Sequence, residues 1–322
     1  MTPQNRFNLK SSRSRISAYQ FAGLGFGVAL AFAAPAYAQQ ATAPATAPAP
    51  TSTAGSDYEV NQDFFTQWFA MATATQAEQP KWMTPLVTVT PRLEQEVRAD
   101  FDDERLVGSK GTLDNDGNGK GIEIIPAPNV ELIFGVPPYE VKQPDGSKPT
   151  LAGWGDWPVF LAKYRVYSRN EQNGDEVLTA FFQVQKPTGS QAYTEGTYIL
   201  QPTIAAGKGW GPFDVQGTVS MQFPKGGTAA NEQGYGERLL TNAAFQYQVG
   251  LLWPEVELNN TYYVNGSREG KDQLAVTPGV ILGRFEIHNR MKLIFGIGYQ
   301  IAVTPKSPTY RNNMVLTMRL TF

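Results

Sequence analysis

The last eleven residues of this 322-residue chain constrain its fold more than any other stretch. Apolar side chains alternate there with mostly polar ones, which is the period-two pattern of a β-strand with one apolar face. The apolar positions are Met314, Leu316, Met318, Leu320 and Phe322. In a water-soluble protein such a face needs a second layer of structure, whereas lipid covers the outer face of a membrane barrel. The pattern therefore predicts an all-β fold, an antiparallel transmembrane β-barrel.

The amino-terminus has the features of an export signal. Four basic residues fall within the first fifteen, an apolar run covers residues 21–32, and Ala36-Tyr37-Ala38 forms a small-x-small motif. This order predicts a secretory signal peptide over residues 1–38, with cleavage after Ala38. The apolar run of about twelve residues is too short for a transmembrane helix, which needs about twenty. We therefore expect a protein of the bacterial outer membrane without a helical span.

Net charge and cysteine content exclude several kinds of function. The full chain has a formal net charge of −2. Removing the leader, which holds four basic residues and no acidic one, leaves −6. A mildly acidic chain without a basic stripe does not fit a nucleic-acid-binding protein. Cysteine is absent, which excludes disulfide bonds and thiolate chemistry. We expect no cofactor, no metal and no nucleic-acid partner.

The region between the leader and the barrel has two parts. Residues 39–56 are almost entirely Gln, Ala, Thr, Pro and Ser, which cannot bury enough apolar surface to fold. We predict an Ala/Pro/Thr-rich disordered tether there. Residues 57–81 carry Phe64, Trp68 and Met71 at roughly helical spacing, which predicts a short amphipathic helical segment. This helix would lie on the membrane surface, plug the barrel mouth or pack as an amino-terminal arm.

The barrel itself is expected to cover residues 82–322. Its first strand would run from Val87 to Phe101, with apolar residues toward lipid and charged residues toward the lumen. Ten further segments show strand patterns: 120–136, 157–169, 176–186, 197–206, 212–223, 239–249, 253–264, 273–285, 291–303 and the last strand. Single-chain bacterial barrels have an even number of strands, so we predict about twelve, with ten or fourteen as alternatives. The pattern shows eleven segments, so one strand is missing. It would lie in residues 57–90 or come from division of the first segment.

Charged residues at lumen-facing positions form the main candidate site. They are placed inside because Arg or Lys on the lipid face near the midplane costs about 2 to 4 kcal/mol. They are Arg92, Glu94, Glu96, Arg98, Glu123, Glu131, Lys163, Arg165, Glu255 and Glu257. Opposed acidic and basic walls would make a selective permeation path, whereas a packed salt-bridge network would close a narrow barrel. The size of the lumen decides between these two hypotheses.

Two further sets of residues are assigned to the membrane and to assembly. Amphipathic aromatic rings near strand ends predict two interfacial girdles. These rings belong to Trp82, Trp154, Trp157, Trp210, Trp253, Tyr262 and Tyr299. A closing strand that ends in Phe322 resembles the signal that the barrel-assembly machinery recognises. The expected partners are therefore outer-membrane lipid, the barrel-assembly machinery through the last strand, and a small-molecule solute.

Two motifs that could carry other chemistry are better explained as turns. The segment from Asp114 to Gly119 begins like a calcium-binding loop, but its position twelve is Ile125 where a bidentate Glu belongs. The single histidine, His288, lies in a predicted turn, and the chain has no Gly-x-Ser-x-Gly nucleophile motif. We therefore predict neither a calcium site nor an enzyme.

Several short motifs are similar to those of a known family. They are Gly155-Asp156-Trp157, Lys163-Tyr164-Arg165, the segments 186–189, 90–96 and 121–126, and Val136-Pro137-Pro138-Tyr139. Over residues 82–322 the chain resembles the outer-membrane transporter family named after the meta-cleavage pathway of phenol degradation. The resemblance implies an outer-membrane barrel that passes hydrophobic or aromatic compounds, with no agreed substrate and no catalytic residues.

The patterns and the resemblance together predict a channel or transporter for small molecules. The alternative is a structural or surface-interaction barrel with a filled lumen. An embedded hydrolase is a third hypothesis, and it lacks a nucleophile motif.

Overall fold

The computed structural model describes residues 57–108, 110–146, 149–304 and 309–322, with side chains from residue 64 onward. The predicted signal peptide, its cleavage site at Ala38 and the predicted tether over 39–56 lie outside these residues. The described helices are α1 (Asp57–Ala77) and α2 (Ala229–Tyr235), with a short 3-10 turn at Gly266–Arg268. Among the described residues, no helix is both long and apolar enough to cross a membrane.

Strands make up most of the described chain. They are β1 (Glu96–Leu106), β2 (Thr112–Gly117), β3 (Gly121–Ala127), β4 (Val130–Gly135), β5 (Tyr139–Gln143), β6 (Leu151–Trp154), β7 (Trp157–Arg169), β8 (Glu176–Lys186), β9 (Tyr198–Trp210), β10 (Phe213–Lys225), β11 (Arg238–Tyr247), β12 (Leu252–Tyr263), β13 (Asp272–His288), β14 (Met291–Ala302) and β15 (Tyr310–Thr321).

Twelve of these strands close into an antiparallel barrel, which confirms the predicted fold and strand number. The order around the wall is β1, β3, β4, β7 and then β8 to β15 in sequence, and β15 pairs back onto β1. At this closing seam Glu96 is opposite Thr321 and Leu106 is opposite Tyr310. We call the end of the barrel that holds Phe322 and α1 the helix end, and the opposite end, which holds α2, the loop end.

The three remaining strands extend the wall at the loop end. β2, β5 and β6 continue the lines of β3, β4 and β7, and they pair in the order β1, β2, β5, β6. The breaks between β2 and β3, β4 and β5, and β6 and β7 lie at the same level of the barrel, between residues 117 and 121, 135 and 139, and 154 and 157. Pro158 packs there against Gly119 and Gly135, where a side chain has no room.

The wall presents apolar residues outward and polar residues inward. On β14, Phe295 and Ile297 are 41% and 48% exposed, whereas Gln300 on the other face is 4% exposed. On β15, Met318 is 47% exposed and its neighbour Arg319 is fully buried. An apolar outside around a charged inside is the reverse of a water-soluble protein, and it fits a wall surrounded by lipid.

Two details of the predicted strand pattern were wrong. The first strand begins at Glu96 rather than Val87, because residues 79–95 run inside the barrel without regular structure. The segment 120–136 is two strands, β3 and β4, joined by a tight turn in which Asn129 has a φ of 65°. This hairpin supplies the missing twelfth strand, which neither residues 57–90 nor a division of the first segment provides.

Candidate functional site

Residues 79–95 form a loop inside the lumen, which we call the plug loop. It leaves α1 and joins β1, so both of its ends lie at the helix end. Gln79 closes its neck, because the Gln79 side chain donates to the Leu93 carbonyl at 2.7 Å and accepts from the Leu93 N–H at 2.8 Å. The plug loop has neither helix nor sheet, so its backbone polar groups need partners from the surrounding wall.

Two glutamates of β12 bind the backbone N–H groups at the tip of the plug loop. Glu255 accepts from the N–H of Leu86 at 3.1 Å. The two carboxylate oxygens of Glu257 accept from Val87 at 2.7 Å and from Thr88 at 2.6 Å. The glutamates therefore satisfy three consecutive backbone donors that would otherwise be buried without a partner.

Two arginines next to the closing seam bind the carbonyl groups of the same segment. Arg98 of β1 donates to the carbonyl of Leu86 at 2.8 Å. Arg319 of β15 donates to the carbonyls of Thr84 at 2.5 Å and Pro85 at 2.8 Å. Charged side chains from two separate parts of the wall thus hold residues 84–88 by the main chain, independently of the plug loop's own side chains.

Buried ion pairs complete the polar interior. The pairs and their N–O distances are Arg92–Glu94 at 2.9 Å, Arg98–Asp100 at 2.7 Å and Lys163–Glu131 at 2.9 Å. Glu131 also accepts from the N–H of Glu94 at 2.6 Å, and Lys163 donates to the carbonyl of Arg92 at 3.3 Å. Removing one member of such a buried pair typically costs about 3–5 kcal/mol, so these charges are structurally coupled.

Glycines in the wall accommodate two large apolar side chains of the plug loop. Leu86 packs on Gly279, Gly296 and Gly298, and a Cβ atom at Gly298 would lie 2.6 Å from a Leu86 methyl carbon. Trp82 packs in the same way against β9, where a Cβ at Gly209 would lie 2.6 Å from the indole nitrogen. The wall of β9, β13 and β14 is therefore shaped to fit the plug loop.

Helix α1 lies at the helix end of the barrel. The Trp68 indole donates to the carbonyl of Ile125 at 2.6 Å, and Arg290 donates to the carbonyl of Phe69 at 2.6 Å. Arg165 reaches from the lumen to the carbonyl of Thr75 at 2.7 Å. These contacts place residues 68–75 at the barrel mouth, which is one of the three positions predicted for this helix.

A cavity of about 60 Å³ separates part of the plug loop from the wall. Thr84, Val89 and Thr90 of the plug loop line one side. The other side is formed by β3, β4, β7 and the residues just before β3, and it carries Lys120 and Glu123. This volume holds a few water molecules.

All ten charged residues predicted to face the lumen lie inside the barrel, each 6% exposed or less. Arg92 and Glu94 belong to the plug loop rather than to the wall. A role of the ten charged residues in permeation stays a prediction. The alternation of the first strand also places Asp100 on the lumen side, where it is buried. Sequence reasoning missed Lys120 and Arg319, although Arg319 has inward parity in the very strand with the clearest alternation.

The predicted aromatic girdles need one correction. Five of the seven rings are on the outer surface, at 36% to 55% exposed: Trp154, Trp157, Trp210, Tyr262 and Tyr299. Trp82 and Trp253 are not interfacial, because they are 3% and 4% exposed and pack together with Leu86 inside the barrel. Trp82 was misplaced because its segment was assigned to a strand of the wall.

The remaining predicted residues are placed as follows. The backbone N–H of Phe322 donates to the carbonyl of Gln95, at the base of the plug loop, at 3.1 Å. Its role as an assembly signal stays a prediction. Asp114 lies in β2, opposite Asp103 of β1. His288 ends β13, and its ring contacts the side chain of Asn289 at 3.0 Å.

A closed wall with an apolar outside and a charged inside defines a membrane β-barrel. No protein-family model matches the chain, and no curated protein matches it. Among solved structures it is similar to an outer membrane channel from Pseudomonas putida F1. The sequence identity is 15% and the TM-score 0.47, over 70% of this chain and 94% of that one. A likeness this distant supports no statement about function.

Proposed function

We propose that this protein is a bacterial outer-membrane channel for small molecules whose lumen is narrowed by the plug loop. The observation that supports this is how the lumen is filled. Hydrogen bonds and ion pairs from the wall hold a separate loop, and a cavity of about 60 Å³ is left beside it. A hydrogen bond to a charged group contributes about 1.5–3 kcal/mol net and is replaced by a bond to water when it opens, so a local rearrangement that breaks one or two of these contacts is accessible.

The location and the solute rest on different observations. The predicted signal peptide and the apolar outer wall support an outer-membrane location. The proposal that hydrophobic or aromatic compounds pass through the barrel rests only on the resemblance of motifs to the phenol meta-cleavage transporter family. The proposed family membership rests on the same motifs.

A structural barrel with a permanently filled lumen is the second candidate. The observation that favours it is the close fit of Leu86 and Trp82 onto wall glycines, which holds the plug loop tightly. The two candidates differ in one measurable property, because a filled barrel passes no ions and a channel does.

Conductance in planar lipid bilayers tests the proposal. The wild-type chain is compared with a variant in which residues 83–90 are replaced by a Gly/Ser linker of equal length. An equal replacement of residues 187–194, a loop-end connection outside the lumen, is the control. We expect the wild type to conduct, the control to conduct equally, and the loop variant to conduct more, because a linker held by the same backbone contacts lacks the Met83 and Leu86 side chains that fill the lumen.

Heat-modifiable gel mobility confirms that each variant has formed a barrel. A folded wild type that stays silent while the loop variant conducts would identify a filled barrel and overturn the proposal. Silence of all folded variants would overturn it as well.

A further inference from the structure

Two of the charged side chains that line the cavity have no partner. Arg98 and Lys163 line it too, but each is bound to a carboxylate. The side chains of Lys120 and Glu123 make neither a hydrogen bond nor an ion pair with the described part of the chain. Glu123 is only 5% exposed, and Glu96 stands directly opposite it in the β1–β3 pairing. An unpaired buried carboxylate is costly, so its presence in a cavity wall needs an explanation.

The tip of the plug loop, residues 84–88, is held mainly by strands away from the cavity, whereas Glu131 and Lys163 on the cavity side bind the base of the loop. Glu257 of β12 and Arg319 of β15 bind its backbone, and Leu86 and Trp82 rest on glycines of β13, β14 and β9. The cavity lies on the opposite side, against β3, β4 and β7. Widening the cavity therefore disturbs fewer contacts than removing the plug loop.

We propose that solutes pass between the plug loop and the wall of β3, β4 and β7, and that Lys120 and Glu123 form the charge-selective site of this path. The inference rests on the proposed channel function and names its solute class. An unpaired cation and an unpaired anion in one narrow passage favour small hydrophilic solutes that carry both charges. Zwitterions should pass better than uncharged molecules of the same size.

Ion selectivity tests the two residues separately. Lys120→Gln should move the reversal potential in a salt gradient toward cation selectivity, and Glu123→Gln should move it toward anion selectivity. Asp156→Asn is the matched control, because it removes one negative charge from a buried position that does not line the cavity. It should leave the reversal potential near the wild-type value. Equal shifts in Glu123→Gln and Asp156→Asn would overturn the assignment.

Solute preference tests the proposed class. Glycine and glycolamide are isomers, and only glycine is a zwitterion. Proteoliposome swelling should be faster with glycine than with glycolamide for the wild type, and the double variant Lys120→Gln/Glu123→Gln should lose this difference. Equal swelling rates for the wild type would overturn the preference for zwitterions.

A disulfide lock tests the position of the path. The Thr88 Oγ1 and the Asn259 Nδ2 lie 3.3 Å apart, and the chain has no native cysteine. Oxidising the Thr88→Cys/Asn259→Cys variant, with disulfide formation measured as loss of free thiol, should fix the plug loop to β12 and leave conductance intact, because the path runs on the other side. Loss of conductance on oxidation would overturn the side path but not the channel. A wild type without conductance would instead refute the proposed function itself.

Discussion

At the scale of single residues, the interior charges of this barrel act on a backbone. Glu257 binds two adjacent N–H groups of the plug loop, at 2.7 and 2.6 Å. A side chain that satisfies main-chain donors imposes a conformation on whatever sequence occupies the loop. The predicted cluster of charges therefore has a structural role in addition to any effect on ions.

Glu257→Ala should lower the free energy of unfolding by about 1.5–3 kcal/mol, the usual contribution of a hydrogen bond to a charged group. Glu257→Gln keeps one oxygen acceptor and should lose less. Urea unfolding of the folded barrel in lipid vesicles measures both. Glu269→Ala, at an exposed position on the loop end, is the control. If Glu257→Ala unfolds at the wild-type urea concentration, the contacts seen at the loop tip do not contribute to stability.

The contact between Gly298 and Leu86 gives a second prediction at this scale. Gly298→Ala should destabilise the barrel by about 1–3 kcal/mol, because the new methyl group overlaps Leu86. Leu86→Ala should relieve the overlap, so the double variant should lose less stability than the two single losses added together. The same urea titration provides the coupling energy. Additive losses would show that the plug loop does not rest on this glycine.

At the scale of elements, alternation predicted the barrel but could not separate the wall from the plug loop. Val87, Val89 and Leu93 alternate with polar residues as they would in a strand, yet this segment lies in the lumen. Both environments offer an apolar and a polar side, so the same pattern satisfies each of them. Only closure of the barrel, which is a long-range property, shows which segment is enclosed.

The hairpin between β3 and β4 was missed for a local reason. Residues 121–135 are mostly apolar apart from Glu123 and Glu131, and the run is interrupted by Pro126, Pro128 and Asn129. A proline followed by an asparagine with positive φ marks a turn, and this signal was present in the sequence. The lumen-facing charges were predicted better than the hairpin, because the alternation of inward and outward residues along a strand is enough to place a charge inside. Their partners in the plug loop were not predictable, since they are backbone groups.

The two faces of β14 give a prediction for this element. Phe295→Arg should cost about 2 to 4 kcal/mol if the residue lies near the midplane of the membrane, because a charge would face lipid. Phe295→Leu keeps the outer face apolar and is the control. Folding yield and urea unfolding in vesicles measure the difference. Equal stability of the two variants would contradict the lipid-facing assignment of this strand.

At the scale of the whole molecule, the carboxy-terminus connects the wall with the plug loop. The main chain of Phe322 bonds to Gln95, whereas its side chain is only partly buried. Phe322→Ala therefore keeps the backbone contact and removes only the ring. We expect lower outer-membrane levels of this variant and accumulation of periplasmic degradation products, measured by fractionation and immunoblotting. Unchanged abundance and heat-modifiable mobility would refute a role of the ring in assembly.

The closing seam has a consequence for how the protein is made. Its two strands, β1 and β15, contribute Arg98 and Arg319, and both arginines bind the carbonyl groups of residues 84–86. The side-chain contacts of the first and last strands are therefore complete only when the plug loop is enclosed. We expect closure of the wall and filling of the lumen to occur in one cooperative step of biogenesis, so that a newly inserted barrel does not pass through an open state.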